Sequence, residues 1–135
     1  MSIELKKITY VEDEPDIRAV AEIALTTIGG FSLDVCCSGT EALSKAPGFQ
    51  PDLVLLDVMM PGIDGVETFR QLKSMPETQN IPVIFMTAKA QRHEVQEYKD
   101  HGAIDVIVKP FDPITLSDQI STIWNRYREE EAGHA

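Results

Sequence analysis

Leu53-Val54-Leu55-Leu56 is a short apolar run that stops at Asp57, with Pro51 before it and Pro61-Gly62 after it. It is continuous and rich in β-forming residues, the pattern of a strand covered on both faces. Ile8-Thr9-Tyr10-Val11 and Val83-Ile84-Phe85-Met86 have the same character, so the three predict the central strands of a parallel sheet. Phe31-Ser32-Leu33-Asp34-Val35 alternates strictly, and Ile104-Asp105-Val106-Ile107-Val108 carries a charge inside an apolar stretch. Each of these two is expected at a sheet edge, with one face less covered.

Helical spacing fills the intervals. Ile17, Val20, Ala21, Ala24, Leu25 and Ile28 form one apolar stripe, with Pro15 suited to the first turn and Gly29-Gly30 to the end. Ser38-Gly39-Thr40-Glu41 has the capping-box pattern of a second helix start, and a third helix carries Val66, Phe69 and Leu72 on one side. A fourth, from about Gln91 to His101, has little apolar surface beyond Val95 and Tyr98. The last is expected to begin at Asp112-Pro113 and to bury Leu116, Ile120, Ile123 and Tyr127.

Strict alternation of strands and helices implies an α/β fold, because parallel strands need crossovers and right-handed crossovers place helices on both faces. With the second and fifth strands at the edges, the economical solution is a five-stranded parallel sheet of order 2-1-3-4-5 flanked by five helices, a flavodoxin-like doubly wound sandwich.

The chain has 135 residues, the size of one domain. Its 43% hydrophobic and 25% charged content suits a globular protein, and no stretch is apolar for long enough to span a bilayer. Nor does the start, Met1-Ser2-Ile3-Glu4-Leu5-Lys6-Lys7, offer the apolar centre of a secretory signal, so a cytoplasmic protein is expected. One compact domain is expected over residues 1–128, with 129–135 an acidic, solvated and fraying tail around Glu129-Glu130-Glu131. No second, output domain is legible in the sequence. A formal charge of −10 disfavours direct nucleic-acid binding. Cys36 and Cys37 are sequence neighbours that cannot staple the fold, and they are expected to be buried free thiols. His93, His101 and His134 lie at no strand end and are expected on the surface.

Four of the apolar runs end in residues with chemistry, all at one end of the sheet: Glu12-Asp13, Asp57, Thr87 and Lys109. In the proposed order these strands are neighbours, roughly 4.8 Å apart, so the groups converge on one crevice at the carboxyl edge. Singly, each has an ordinary use: Asp13 as a helix cap, Thr87 as a satisfied hydroxyl, Lys109 as a surface ion-pair partner. Together they call for a cation, because three crowded carboxylates resist full ionisation. All the candidate ligands are oxygens, which points to a hard ion such as Mg²⁺. With Thr87 and Lys109 opposite, the notch has donors for phosphoryl oxygens.

These residues, with Leu55-Leu56-Asp57-Val58-Met59-Met60-Pro61-Gly62, Gly65, Thr87-Ala88 and Lys109-Pro110-Phe111, make the chain resemble the receiver domain of two-component response regulators over roughly residues 5 to 127. The resemblance implies that Asp57 is the phosphoacceptor, a choice that spacing leaves open among the three carboxylates. It further implies that Glu12, Asp13, Asp57 and the backbone carbonyl of Met59 hold Mg²⁺ or Mn²⁺, and that the donor is a phosphohistidine on a sensor histidine kinase or a phosphotransfer protein. Ala88 would leave room for the incoming group, Met59 and Lys89 would tune phosphoryl lifetime, and the Lys109-Pro110 bond would be cis. Such a domain assists its own phosphorylation and dephosphorylation without being an enzyme acting on an external substrate. Movement of Thr87 and Lys109 toward the phosphoryl would change the face of helix four, strand five and helix five, which would serve a downstream target or output domain, or a second copy. Where the family often carries a switching aromatic, this sequence has Val106. Trp124 is expected either at that output face or partly in the core.

Three other readings fit these residues less well. A metal-dependent phosphatase would want a second Asp two residues beyond Asp57, where Met59 stands. A flavin-binding domain would want a phosphate loop where Glu12-Asp13-Glu14-Pro15 stands. A receiver-like module that is never phosphorylated would not need the acidic, hydroxyl and lysine positions that are all present.

Overall fold

The structure, a computed structural model, describes residues 4–133. His134, expected on the surface, lies outside the described residues. Five parallel strands, β1 (Lys7–Val11), β2 (Ser32–Cys36), β3 (Leu53–Asp57), β4 (Val83–Thr87) and β5 (Asp105–Val108), form one sheet in the order β2-β1-β3-β4-β5. Between and after them come α1 (Pro15–Ile23), α2 (Gly39–Phe49), α3 (Gly65–Ser74), α4 (Arg92–Asp100) and α5 (Leu116–Gly133). This is the expected flavodoxin-like sandwich.

The continuous apolar runs are explained by two cores, one on each side of the sheet. Ile8, Tyr10, Leu53, Leu55, Ile84, Met86 and Ile107 point toward α1 and α5, where they meet Ala21, Leu25, Leu116, Ile120, Ile123 and Trp124. The alternate residues, Val11, Val54, Leu56, Val83, Phe85 and Val106, point to the other side and meet Ala42, Ala46, Phe69 and Leu72 from α2 and α3. Successive side chains on a strand face opposite ways, so a strand between two helical layers must be apolar at every position. Burial of each large aliphatic contributes roughly 1.5–3 kcal/mol before conformational entropy is subtracted. Trp124 belongs to the first core rather than to an exposed face, and Tyr127 is only partly buried.

The α1 stripe is shorter than its spacing predicts. Ala21, Ala24 and Leu25 are buried, whereas Val20 and Ile28 are 44% and 49% exposed. After Ile23 the helix widens into a π-helical turn, Ala24–Ile28, where the Gly29 N–H donates to the Ala24 carbonyl five residues back at 3.0 Å. The wider turn shifts the phase of the repeat, so a 3.6-residue spacing no longer keeps Ile28 on the core side. Val20 instead lines a surface hollow with Ile17, Pro110 and Phe111.

Three further expectations are corrected. The last helix is regular only from Leu116, because residues 113–115 form a turn in which the Ile114 N–H donates to Asp112 Oδ1 at 2.9 Å and the Thr115 N–H to the Asp112 carbonyl at 3.2 Å. At α2, Ser38 Oγ accepts from the Glu41 N–H at 3.1 Å, but the Glu41 carboxylate accepts from the Cys37 N–H at 3.2 Å instead of closing the box on Ser38. Cys36 is buried while Cys37 is exposed, since β2 ends at Cys36 and only that thiol points into the core. Both cysteines are free. Glu129, Glu130 and Glu131 are exposed along the last turns of α5.

Candidate functional site

Strand register brings the polar strand ends together. Val11 is level with Leu56 and Leu56 with Phe85, so Glu12 and Asp57 leave their strands at the same height. Thr87 ends β4 one residue higher, beside Val108, and the Lys109 N–H donates to the Thr87 carbonyl at 2.9 Å. One oxygen each from Glu12, Asp13 and Asp57 lie within 4.8 Å of one another. Lys109 Nζ donates to Glu12 Oε1 at 2.6 Å and to Asp57 Oδ1 at 2.9 Å. Glu12, Asp13, Asp57 and Lys109 are one cluster, and Thr87 joins it through the backbone bond with Lys109, its hydroxyl accepting from the Lys89 N–H at 3.0 Å.

The electrostatics are those of a crowded, buried anion site. Glu12 is 0% and Asp57 2% exposed. Burial pushes the Asp57 carboxyl up to about 7 against the pull of Lys109, and Glu12 pushes it the same way. One ammonium therefore does not offset the carboxylates. Asp13 Oδ1 is buried with no hydrogen-bond partner among the described residues. A lone-pair-bearing oxygen of that kind carries a desolvation penalty unless something positive meets it. Three carboxylates, all oxygen donors, with a buried oxygen of Asp13 left unpartnered among the described residues, fit a hard divalent cation such as Mg²⁺.

The loops set the remaining geometry. Gly65 opens α3 directly against β3: a Cβ there would lie 2.3 Å from the Asp57 carbonyl oxygen and 2.7 Å from Val58 Cα. Asp64 caps the same helix by accepting from the Glu67 N–H at 2.9 Å. Met59, in the loop after β3, and Ala88 and Lys89, in the loop after β4, are exposed. The Lys109-Pro110 peptide bond is cis. Val106 is buried in the second core beside Phe85 and presents no polar atom.

Two contributors escaped the sequence reading. Arg18, on α1, donates through Nη1 to the carbonyls of Glu12 at 2.9 Å and Asp13 at 3.4 Å, tying the Glu12-Asp13 loop to the helix. Nothing in the sequence marks it, because it binds backbone rather than a side chain. Tyr10 is fully buried on β1, two residues before Glu12. Burial raises its pKa, and the negative charges of Glu12 and Asp57 add to the effect. A polar atom at an otherwise apolar strand position was the available signal.

A family model, the response regulator receiver domain, matches residues 8–121. The chain belongs to this family. The receiver is 35% identical over 126 residues to the phosphate regulon transcriptional regulatory protein PhoB of Rhizobium meliloti, covering 93% of this chain and 55% of that protein. It is 34% identical to the response regulator ArlR of Staphylococcus aureus, over 94% of this chain and 56% of that one. The chain thus spans a little over half the length of these curated relatives. Among solved structures, the Vibrio cholerae chemotaxis protein CheY4 superposes with a TM-score of 0.81 at 28% identity, over 89% of this chain and 99% of that one. A response regulator from Desulfuromonas acetoxidans gives 0.80 at 32% identity, over 90% and 98%. The receiver is a signalling domain of two-component systems rather than an enzyme of the usual kind. Among the described residues no helix is long and apolar enough to cross a membrane.

Proposed function

We propose that Asp57 accepts a phosphoryl group from a phosphohistidine of a sensor kinase or phosphotransfer protein. The observation that carries this reading is the double contact of Lys109 Nζ, 2.6 Å from Glu12 and 2.9 Å from Asp57, inside a cluster whose third carboxylate, Asp13, has an oxygen without a partner. An Asp57 oxygen forms the new bond to phosphorus as the phosphorus–nitrogen bond breaks, and the imidazole nitrogen leaves with the electron pair. Glu12, Asp13, Asp57 and the Met59 carbonyl would hold Mg²⁺, or Mn²⁺ in its place, which when bound neutralises the carboxylates and the incoming oxygens. Lys109 supplies positive charge to those oxygens and Thr87 a hydroxyl hydrogen. Exposed Ala88 leaves the approach open, and exposed Met59 and Lys89 influence access of water to the aspartyl phosphate.

The switch follows from charge. Phosphorylation adds about −1.5 to −2 units and three acceptor oxygens, which draw on Thr87 and Lys109. Thr87 leads into the loop before α4, and α4 buries no residue. The face of α4, β5 and α5 is therefore the element that responds, and it serves a downstream protein, an output domain or a second copy of the chain. We assign residues 1–128 to the receiver unit and 129–135 to an acidic tail, acting in the cytoplasm.

Incubation with Mg²⁺ and acetyl phosphate, followed by intact-mass measurement, tests the acceptor. Wild type should gain one phosphoryl group and Asp57→Asn none. A gain in both would place the acceptor elsewhere.

A further inference from the structure

Glu12 and Asp13 are neighbours in the chain, yet both bring a carboxylate oxygen within 4.8 Å of the other and of one from Asp57. Had β1 simply continued, their side chains would have pointed to opposite faces of the sheet. β1 stops at Val11 and the chain bends at Asp13, so the second carboxylate can join the first.

Glu12 has several guides. Its N–H donates to the Cys36 carbonyl at 3.0 Å, its Oε2 accepts from the Glu14 N–H at 3.3 Å, and its Oε1 from Lys109. Asp13 is held differently. Its buried Oδ1 has no hydrogen-bond partner among the described residues, and α1 starts at Pro15 without a side-chain cap from Glu14. The position of that oxygen is therefore set by the backbone, and the group that meets the bent backbone is Arg18. Its Nη1 donates to the Glu12 carbonyl at 2.9 Å and to the Asp13 carbonyl at 3.4 Å. Successive carbonyls of an extended chain point to opposite sides, so one nitrogen reaches both only where the chain turns.

This placement runs against the helix. Residues 12 and 13 precede the first turn of α1, the end at which the helix dipole disfavours a cation. Two bonds from a charged donor to carbonyls offset that, each stronger than a bond between neutral groups. Arg18 thus serves the loop rather than the helix that carries it.

We propose that Arg18 is the positioning residue that clamps the Glu12-Asp13 bend and so presents Asp13 to the divalent cation. It acts through two backbone carbonyls, not as a ligand. The inference rests on Glu12, Asp13 and Asp57 holding that cation.

Charge and position predict opposite signs. Through space a guanidinium repels a cation, so loss of the charge alone would tighten metal binding. Loss of the clamp weakens it by roughly 10–100-fold, the usual effect of removing a group that orients a metal ligand.

The test titrates wild type, Arg18→Met, Arg18→Gln, Asp13→Asn and the Arg18→Met/Asp13→Asn double variant with Mn²⁺. Free ion is counted by electron paramagnetic resonance, Mg²⁺ is read by competition, and affinities are scaled to the folded fraction. Both neutral Arg18 variants should bind the metal more weakly, and Arg18→Gln decides the matter alone if Arg18→Met does not fold. In EDTA the Glu14 amide of either variant should exchange roughly two- to tenfold faster than in wild type, the ratio of one net hydrogen bond. In the Asp13→Asn background, Arg18→Met should weaken binding by less than about twofold more. Unchanged or tighter binding in the Arg18 variants, or fully additive losses in the double variant, would overturn the clamp alone. Wild type that binds neither Mn²⁺ nor Mg²⁺ would overturn the metal-site reading and this inference with it.

Discussion

The ammonium of Lys109 lies 2.6 Å from the Glu12 carboxylate, a contact between residues 97 apart in the chain. Both groups are largely shielded from water, and the same ammonium serves Asp57. Lys109→Met removes the charge and keeps the volume, leaving two buried carboxylates to face each other. In EDTA at neutral pH the variant should lose about 3 kcal/mol of stability, the usual cost of stranding a buried charge. Mg²⁺ should restore part of it. Denaturant titration with and without the metal measures both, and unchanged stability in EDTA would show that the contact does not hold the site together.

Asp57 makes the metal-free protein sensitive to pH in a stated direction. Its carboxyl is raised from an ordinary 3.8 to about 7. Between those values the folded protein binds more protons than the unfolded chain, so stability is greatest on the acid side and falls as pH rises toward about 7. Asp57→Asn should flatten that slope and raise Tm at pH 7.5 in EDTA by roughly 3–10 °C. Mg²⁺ should raise the wild-type Tm more than that of the variant. Thermal melts across pH, with and without the metal, decide it; parallel pH profiles for the two proteins would contradict the shift.

Gly65 should tolerate no side chain. An alanine Cβ would sit 2.3 Å from the Asp57 carbonyl oxygen, and the obstacle is backbone rather than a side chain that could rotate away. Gly65→Ala should destabilise by roughly 1–3 kcal/mol through overpacking. Because the strain falls on residue 57, phosphoryl uptake per folded molecule should fall too. Denaturant titration and intact mass read the two effects separately.

The Asp64 cap is a local test of α3. Its Oδ1 accepts from the Glu67 N–H at 2.9 Å, so Asp64→Ala should cost about 1 kcal/mol. Asp64→Asn or Asp64→Ser should recover most of that in the same denaturant titration.

Much of this receiver was legible from local patterns. The β3 and β4 runs are apolar at every position because each strand lies between two helical layers, and their neighbours in the sheet followed from which strands alternate or carry charge. Glu12, Asp13, Asp57, Thr87 and Lys109 were legible for a related reason. A residue at the carboxyl end of a parallel strand stays at that edge whatever the details of packing. The exposed Val20 and Ile28 show where such reasoning stops, since a π-helical turn is a response to packing that a 3.6-residue repeat does not encode.

Distances between residues remote in the chain were decided by the tertiary structure. That Lys109 bridges Glu12 and Asp57, and that Asp13 keeps an oxygen unpartnered among the described residues, both depend on strand register and on where helices settle against two separate cores. Periodicity and strand ends are properties of a few consecutive residues, so they can be read along the chain. Pairing across the sheet is a property of the whole packed molecule, because only the joint fit of all its layers sets which polar atoms come within about 3 Å of each other.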